Sequence, residues 1–152
     1  MIERLISGGQ TGADKTGLEA ARALGIPTGG TAPKGWRIYN PDGSDGSDPS
    51  LAEFGLVEHS SRDYPPRTKQ NIIDSDGTVW FGRTESFGGK LTIGTAKKSG
   101  KPIIINPTAE ELRNWIAEHD IKILNVAGNR ANIYLYPDIR GRTYTVLTEA
   151  LR

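Results

Sequence analysis

The sequence predicts an α/β fold in which helices cover both faces of a mainly parallel sheet. Short apolar segments alternate with helical patterns along most of the chain. Such alternation favours right-handed β–α–β connections between parallel strands. The segment 102–105 is apolar throughout, as strands are when both faces of a sheet are covered. Glycine-containing turns follow three of the predicted strands, and the carboxyl ends of parallel strands share one edge of the sheet.

The first half of the chain begins with a short buried strand over 2–7 and a helix over 12–24. The inward face of this helix carries mainly alanine and glycine, which allows it to lie close to a sheet. Gly25 and Pro27 end the helix. The remaining elements predicted before residue 78 are a strand end with a loop at 28–37, a polar surface loop at 40–50, a short strand at 54–57, a short helix at 66–73 and a turn at 74–77.

The second half alternates strands and helices more regularly. The residues over 78–81 are mostly β-branched or aromatic, which favours a strand. Thr108 and Glu111 have the spacing of a capping box at the start of a helix. The elements predicted after residue 77 are strands at 78–81, 102–105 and 121–126, and helices at 90–99, 108–119 and 143–152.

Length and composition limit the function classes. The chain has 152 residues and a formal net charge of +1, so we expect one domain over 1–152 without a global field that attracts nucleic acid or membranes. It contains no cysteine, which excludes disulfides and thiolate metal sites. The sequence shows no signal-peptide pattern, and no apolar run approaches the roughly 20 residues of a membrane span. We therefore expect a cytoplasmic protein.

The turn at 7–12 is the first candidate site for an anion. Two adjacent glycines precede a helix start, whose unpaired N–H groups and dipole favour negative charge. The turn fits neither the G-x-x-x-x-G-K-[ST] nor the G-x-G-x-x-G pattern. Asp14 either completes a capping box with Thr11 or takes part in the site. The candidate binding residues of this turn are Gly8, Gly9, Gln10, Thr11 and Gly12.

Further candidates are polar or glycine residues near the other predicted turns. Two cations flank Trp36 and can hold a flat anionic ligand, while Arg67 and Asn71 share one helix face. Solvated loops, tight turns and helix caps explain the same residues without a ligand. The candidates outside the first turn are Lys34, Arg37, Arg67, Asn71, Asp76, Thr78, Gly88, Gly89, Lys90, Thr92 and Arg130.

No catalytic residue and no metal site is predicted. The two histidines, His59 and His119, stand far apart in the sequence. No serine lies in a G-x-S-x-G motif, and no group of histidines and carboxylates has the spacing of metal ligands.

Taken in order, the motifs resemble one family. They are SGGQTGAD, APKGWR, RTKQN with DSDGT, GGKLT and LNVAGNR, and they span nearly the whole chain apart from 40–50. This combination resembles the molybdenum cofactor carrier proteins, a YpsA-related branch of the SLOG superfamily. The resemblance implies a Rossmann-like three-layer α/β/α sandwich, a homo-oligomer (dimer or tetramer) and a basic pocket at the carboxyl edge of the sheet. It implies molybdenum cofactor (molybdopterin) or molybdate as the ligand, with molybdoenzymes or cofactor-synthesis proteins as partners.

A second hypothesis comes from the wider superfamily, in which relatives hydrolyse nucleoside monophosphates with a P-G-G-x-G-T-x-x-E loop. The comparable stretch here is 87–95, where Thr92 matches the threonine but Leu91 replaces a glycine and Thr95 replaces the glutamate. A carrier or storage protein that binds an anionic ligand without chemistry is therefore favoured. The alternatives are a nucleotide-binding or nucleotide-hydrolysing protein, and a single-stranded nucleic-acid or scaffold module, for which only Trp36 lies beside basic residues.

Overall fold

The computed structural model describes residues 1–132 and 134–152, and within them eight strands and five helices carry the fold. The strands are β1 (Arg4–Ile6), β2 (Thr28–Ala32), β3 (Arg37–Tyr39), β4 (Asp45–Ser47), β5 (Leu56–Glu58), β6 (Gly77–Phe81), β7 (Ile103–Ile105) and β8 (Ile123–Gly128). The helices are α1 (Ala13–Ala23), α2 (Tyr64–Asp74), α3 (Phe87–Lys98), α4 (Ala109–Glu118) and α5 (Ile139–Leu151).

Six parallel strands form the central sheet in the order β5–β2–β1–β8–β6–β7. Helix α5 packs against α1 and α4 on one face, while α2 and α3 pack together on the other. The predicted α/β/α architecture is therefore confirmed. The last strand, β8, lies between β1 and β6, so residues from both ends of the chain meet in the middle of the sheet.

The core follows from the apolar patterns of these elements. Leu5, Leu124 and Val79 come from three adjacent central strands and are fully buried. The predicted cap of α4 is present, because Thr108 Oγ1 accepts from the Glu111 N–H and the Glu111 side chain accepts from the Thr108 N–H. None of the described helices is long and apolar enough to cross a membrane.

Several element predictions need correction. The loop predicted at 40–50 contains β4, which pairs antiparallel with β3. Its polar side chains do not favour a strand, and the backbone hydrogen bonds of the hairpin stabilise it instead. Strand β7 is not inside the sheet but at its edge, and Ile105 is exposed. Helix α3 begins at Phe87 rather than at residue 90, α2 begins at Tyr64, and α5 begins at Ile139.

Candidate functional site

A cavity of about 470 Å³ opens at the carboxyl ends of β1, β8 and β6. The chain leaves β1 toward β2 on one side, and it leaves β6 toward β7 on the other. The cavity therefore lies at the topological switch point, where α/β sheets bind their ligands. Its lining includes Gly8, Gln10, Asp14, Tyr39, Tyr64, Arg67, Asn71, Trp80, Ser86, Phe87, Gly88, Leu91, Thr92, Asn125, Gly128, Asn129, Arg130 and Tyr136.

The first glycine turn forms one wall of this cavity through Gly8. Any side chain at Gly8 would overlap the guanidinium of Arg67, so the bare backbone is what admits that arginine. Gln10 Oε1 accepts hydrogen bonds from the N–H groups of Thr11 at 3.0 Å and Tyr39 at 2.7 Å. The Thr11 hydroxyl donates to the Tyr39 carbonyl at 2.6 Å. Gln10 and Thr11 thereby position an aromatic residue of β3 at the cavity.

The first N–H group of α1 is paired within the protein. The Ala13 N–H donates to the Asn129 carbonyl at 3.2 Å. The Asp14 carboxylate lies where the sequence suggested an anionic ligand, and its Oδ2 accepts from the Gln10 N–H at 3.3 Å. Gly9 and Gly12 do not line the cavity. Both have positive φ and allow the chain to turn between β1 and α1.

Asp14 and Arg67 form a buried ion pair, with Arg67 Nη1 and Asp14 Oδ2 3.5 Å apart and side chains 11% and 4% exposed. Burial raises the pKa of Asp14 from 3.8 to about 6, although the charge of Arg67 and the N–H groups of Gln10 and Gly128 act in the opposite direction. Burial also lowers the pKa of Arg67, and Asp14 partly offsets this. The pair places one positive and one negative group side by side at the cavity.

An aromatic wall formed by Tyr39 and Tyr64 lies beside this ion pair. The two ring centroids are 5.2 Å apart. The Arg130 guanidinium lies 4.7 Å from the centroid of Tyr39, and Arg67 lies 5.3 Å from that of Tyr64. Such cation–π contacts hold guanidinium groups against ring faces while their edges remain available to an anion.

The amino end of α3 faces the cavity from the side of β6. Ser86 is the N-cap and its Oγ accepts from the Gly89 N–H at 3.1 Å. In the part of the chain that the structure describes, the N–H groups of Phe87 and Gly88 have no hydrogen-bond partner. Gly88 and Thr92 line the cavity. This helix end therefore provides the unpaired N–H groups and positive dipole that an anion requires.

The end of β8 connects that helix to the first turn. Asn129 Oδ1 accepts from the Arg83 N–H at 2.6 Å, and its Nδ2 donates to Ser86 Oγ at 3.1 Å. Gly128 and Arg130 line the cavity on either side of Asn129. Gly8, Gly88 and Gly128 thus lie at one cavity, as their positions near the ends of parallel strands predicted.

The similarities to known proteins agree with this geometry. Residues 5–151 match the model of the circularly permutated YpsA SLOG family. The chain belongs to that family. A solved structure from Syntrophus aciditrophicus SB, named "Putative molybdenum carrier protein", is 34% identical, with a TM-score of 0.84 over 99% of this chain and 96% of the other. A search among curated proteins found no match.

The last strand lies beside the switch point in this cpYpsA-family chain. In the usual doubly wound order 3-2-1-4-5-6, the first strand lies next to the switch point and its following turn binds phosphate. Here β8 lies between β1 and β6. The turn over 128–130 is therefore a second wall of the site, beside the turn that follows β1.

Some predicted site residues of this family member lie away from the cavity or face other partners. Asp76 precedes β6 and lies at the amino ends of the strands, away from the cavity. There its Oδ2 accepts from the N–H groups of Lys122 and Ile123. The Asn71 side chain lines the cavity, but its amide pairs with the backbone N–H and carbonyl of Thr31, both at 2.9 Å. Its structural role is to join α2 to β2. The predicted site residues that do not line the cavity are Gly9, Thr11, Gly12, Lys34, Arg37, Asp76, Thr78, Gly89 and Lys90.

The residues that sequence reasoning missed are mainly aromatic or amide side chains. Among the described residues, five that line the cavity each have a buried polar atom without a hydrogen-bond partner. Those atoms are Tyr64 Oη, Arg67 Nε, Trp80 Nε1, Asn125 Oδ1 and Arg130 Nε. Leaving such groups unpaired costs about 1–3 kcal/mol each, so a ligand that pairs with them gains that energy. The LNVAGNR motif contains Asn125 and Asn129 and was the available signal for both.

Proposed function

We propose that this protein binds molybdenum cofactor, or molybdate as its oxyanion, in the cavity and carries it without chemical change. The observation that supports this best is one cavity that combines the Tyr39–Tyr64 wall, Arg130 and the open amino end of α3. Its volume of about 470 Å³ lies in the range of small-molecule sites. The name of the structure from Syntrophus aciditrophicus supports the same ligand class.

The chemistry of the cofactor suits these groups. Molybdenum cofactor is a pterin with a phosphate and an oxo-metal group, so it offers a flat heterocycle and anionic ends. The ring edges of the aromatic wall can contact the heterocycle, while the guanidinium of Arg130 and the N–H groups of α3 can hold the anions. The chain has no cysteine and therefore provides no thiolate to the metal. Noncovalent contacts of this kind permit release, as a carrier requires.

The proposed role also concerns partners. A carrier receives its cargo from cofactor-synthesis proteins or delivers it to molybdoenzymes, and we expect a homo-oligomer, a dimer or a tetramer, in the cytoplasm. Among the described residues, no group of histidine, aspartate and glutamate side chains is arranged to hold a metal ion. The metal is therefore part of the cargo in this proposal.

Thermal-shift measurements test the proposed function. Molybdenum cofactor or molybdate should raise the midpoint of unfolding as its concentration increases, because a ligand that binds only the folded state stabilises it by mass action. Tungstate, sulfate and AMP serve as comparison ligands. The proposal is wrong if neither the cofactor nor molybdate at micromolar concentration changes the midpoint.

Nucleotide hydrolysis is a second candidate function, because the cavity contains the Asp14 carboxyl group. A carboxyl group whose pKa is raised to about 6 suits a general acid or base near neutral pH. Thr95, where superfamily hydrolases have glutamate, does not line the cavity. Incubation with AMP or CMP followed by chromatography tests this candidate: release of free base by the protein, but not by Asp14→Asn, would support it.

A further inference from the structure

Besides the Tyr64 hydroxyl, which can either donate or accept, the cavity contains two hydrogen-bond acceptors that the protein does not use fully. Several polar side chains around it are already paired: Gln10 with Tyr39, and Asn129 with Arg83 and Ser86. Asn125 differs, because its Nδ2 donates to Thr78 Oγ1 at 3.2 Å while its Oδ1 has no partner among the described residues. The hydroxyl of Thr78 accepts from Nδ2 in this arrangement, which leaves Oδ1 of the amide free.

Asp14 is the other acceptor. The hydrogen bonds to its Oδ2 are long, at 3.3 Å from the Gln10 N–H and 3.5 Å from Arg67 Nη1. An ionised carboxylate has about four acceptor positions on its two oxygens, so capacity remains for further donors. The raised pKa of Asp14 agrees with a carboxylate whose donors do not compensate for its burial.

We propose that Asp14 and Asn125 bind the donor edge of an aminopyrimidinone ring, which is the ring N–H and the neighbouring amino group that pterins and guanine share. This deepens the proposed function and rests on its choice of cavity. Arg130 and the amino end of α3 take the anionic group of the same ligand. The site thus recognises the organic part of its ligand and not only an oxyanion.

The match depends on geometry and charge. Two adjacent N–H donors on a planar edge fit the two oxygens of a carboxylate, as in other bidentate pairs. The unpaired Trp80 Nε1 and Arg67 Nε are donors of the kind that the ring oxygen beside that edge requires. A bare oxyanion has no donors and meets the like charge of Asp14, so the aminopyrimidinone ligand should bind more tightly than molybdate or phosphate alone.

A ligand series on the unmodified protein tests the inference without any variant. Binding of GMP, IMP and XMP is measured by calorimetry at pH 7.5, since these nucleotides carry an amino group, a hydrogen and an oxygen at the same ring position. We expect GMP to bind at least about tenfold more tightly than XMP, with IMP between them, because an unpaired buried acceptor is costly. Equal affinities for the three would overturn the inference.

Pterin and lumazine separate the two possible sources of the ring. Lumazine replaces the amino group of pterin with an oxygen, and neither compound carries a phosphate. Tighter binding of pterin than of lumazine, with a smaller difference between GMP and XMP, assigns the site to pterins. The reverse ranking assigns it to guanine nucleotides. No discrimination in either pair contradicts the role of Asp14 and Asn125.

The Asp14→Asn variant should have opposite effects on two measured quantities: the preference for GMP over XMP, and the affinity for a bare oxyanion. It should reduce the GMP-over-XMP preference to less than threefold, while molybdate or phosphate should bind more tightly because a like charge is removed. Asp45→Asn is the matched control, since Asp45 is exposed and paired with Arg37 outside the cavity lining. If Asp14→Asn keeps the preference for GMP, the inference fails.

The proposed function and this inference fail separately. Binding of molybdenum cofactor that Asp14→Asn leaves unchanged would retain the carrier and exclude recognition by Asp14. A preference for GMP over XMP without any binding of cofactor or molybdate would retain the recognition and exclude the carrier.

Discussion

Arg130 is the cation that distinguishes the binding end of the cavity. Arg67 is paired with Asp14, whereas Arg130 has no carboxylate partner among the described residues. Its Nε is unpaired and its guanidinium lies against Tyr39. The net positive charge available to a ligand therefore comes from this residue and from the helix end at Phe87.

Replacing Arg130 with alanine should weaken binding of molybdate or a phosphate-bearing ligand by roughly 10- to 100-fold, because hydrogen bonds to charged groups contribute about 1.5–3 kcal/mol. The free energy of unfolding should change by less than about 1 kcal/mol, since the lost cation–π contact is small. Calorimetry and urea unfolding measure the two quantities. Lys90→Ala is the control, because Lys90 is exposed and outside the cavity lining; equal losses in the two variants would contradict the prediction.

Asp14 should make stability depend on pH. Its pKa is about 6 in the folded protein, against an ordinary value of 3.8 for this carboxyl group in the unfolded chain, so between these values the folded state binds more protons than the unfolded state. Stability contributed by this group is present below pH 4 and is lost as the pH rises through 6. The loss amounts to about 3 kcal/mol for a shift of about two units. Urea unfolding from pH 4 to 7 should show this slope, and Asp14→Asn should remove it.

The residues that line the cavity could be predicted from sequence only where a local sequence pattern marks them. Gly8 and Arg130 were found because glycine turns and cations after strands are local features. Tyr39 and Tyr64 were missed because their contact joins β3 to α2, 25 positions apart in the chain. Asp76 was wrongly placed near the cavity because an Asp-Gly pair has the same sequence pattern at the amino end of a strand as at its carboxyl end.

At the scale of elements, the turn between β1 and α1 depends on Gly12. This residue has φ +88°, and a Cβ there would lie 2.5 Å from the Asn129 carbonyl oxygen and the Ala131 nitrogen. Gly12→Ala should therefore lower the free energy of unfolding by several kcal/mol, as strained and overpacked positions do.

The control for that change is Gly94→Ala, within α3. Apart from its chain neighbours and the backbone of α3 itself, no atom lies within 4 Å of a Cβ at Gly94, and alanine is favoured over glycine in helices by about 1 kcal/mol. Urea unfolding should thus show destabilisation by Gly12→Ala and slight stabilisation by Gly94→Ala. The same sign for both variants would exclude the proposed packing of the turn.

Helix or strand could be predicted wherever apolar residues recur at a clear spacing, as they do in α1 and α4. Strand position was not, because β7 is as apolar as an interior strand and only the order of the whole sheet places it at the edge. Strand β4 has the sequence DGS and no strand propensity, so its existence depends on pairing with β3 and on the 3.0 Å ion pair between Arg37 and Asp45 that joins the two strands.

For the whole molecule, we expect amide exchange to follow the order of the strands. The central strands β1, β8 and β6 contribute fully buried side chains, whereas the β3–β4 hairpin is outside the sheet and mostly exposed. Local opening is easiest where few apolar contacts resist it. Hydrogen exchange should thus be slowest in β8 and fastest in the hairpin; equal protection would contradict this layering.

The architecture as a whole was predicted from alternating elements, and the family from six motifs taken together. The assembly of the cavity could be expected only in outline. Parallel strands bring their turns to one edge, but which side chains fill that edge depends on helix packing that no local pattern encodes.

The central position of β8 has a consequence for biosynthesis. Until residues 123–128 leave the ribosome, β1 and β6 have no strand between them, and neither Asn125 nor Arg130 can join the other walls. The six-stranded sheet and the cavity at its carboxyl edge therefore cannot be complete before β8 has left the ribosome. A cell that supplies cargo during translation would gain nothing by doing so before β8 had emerged.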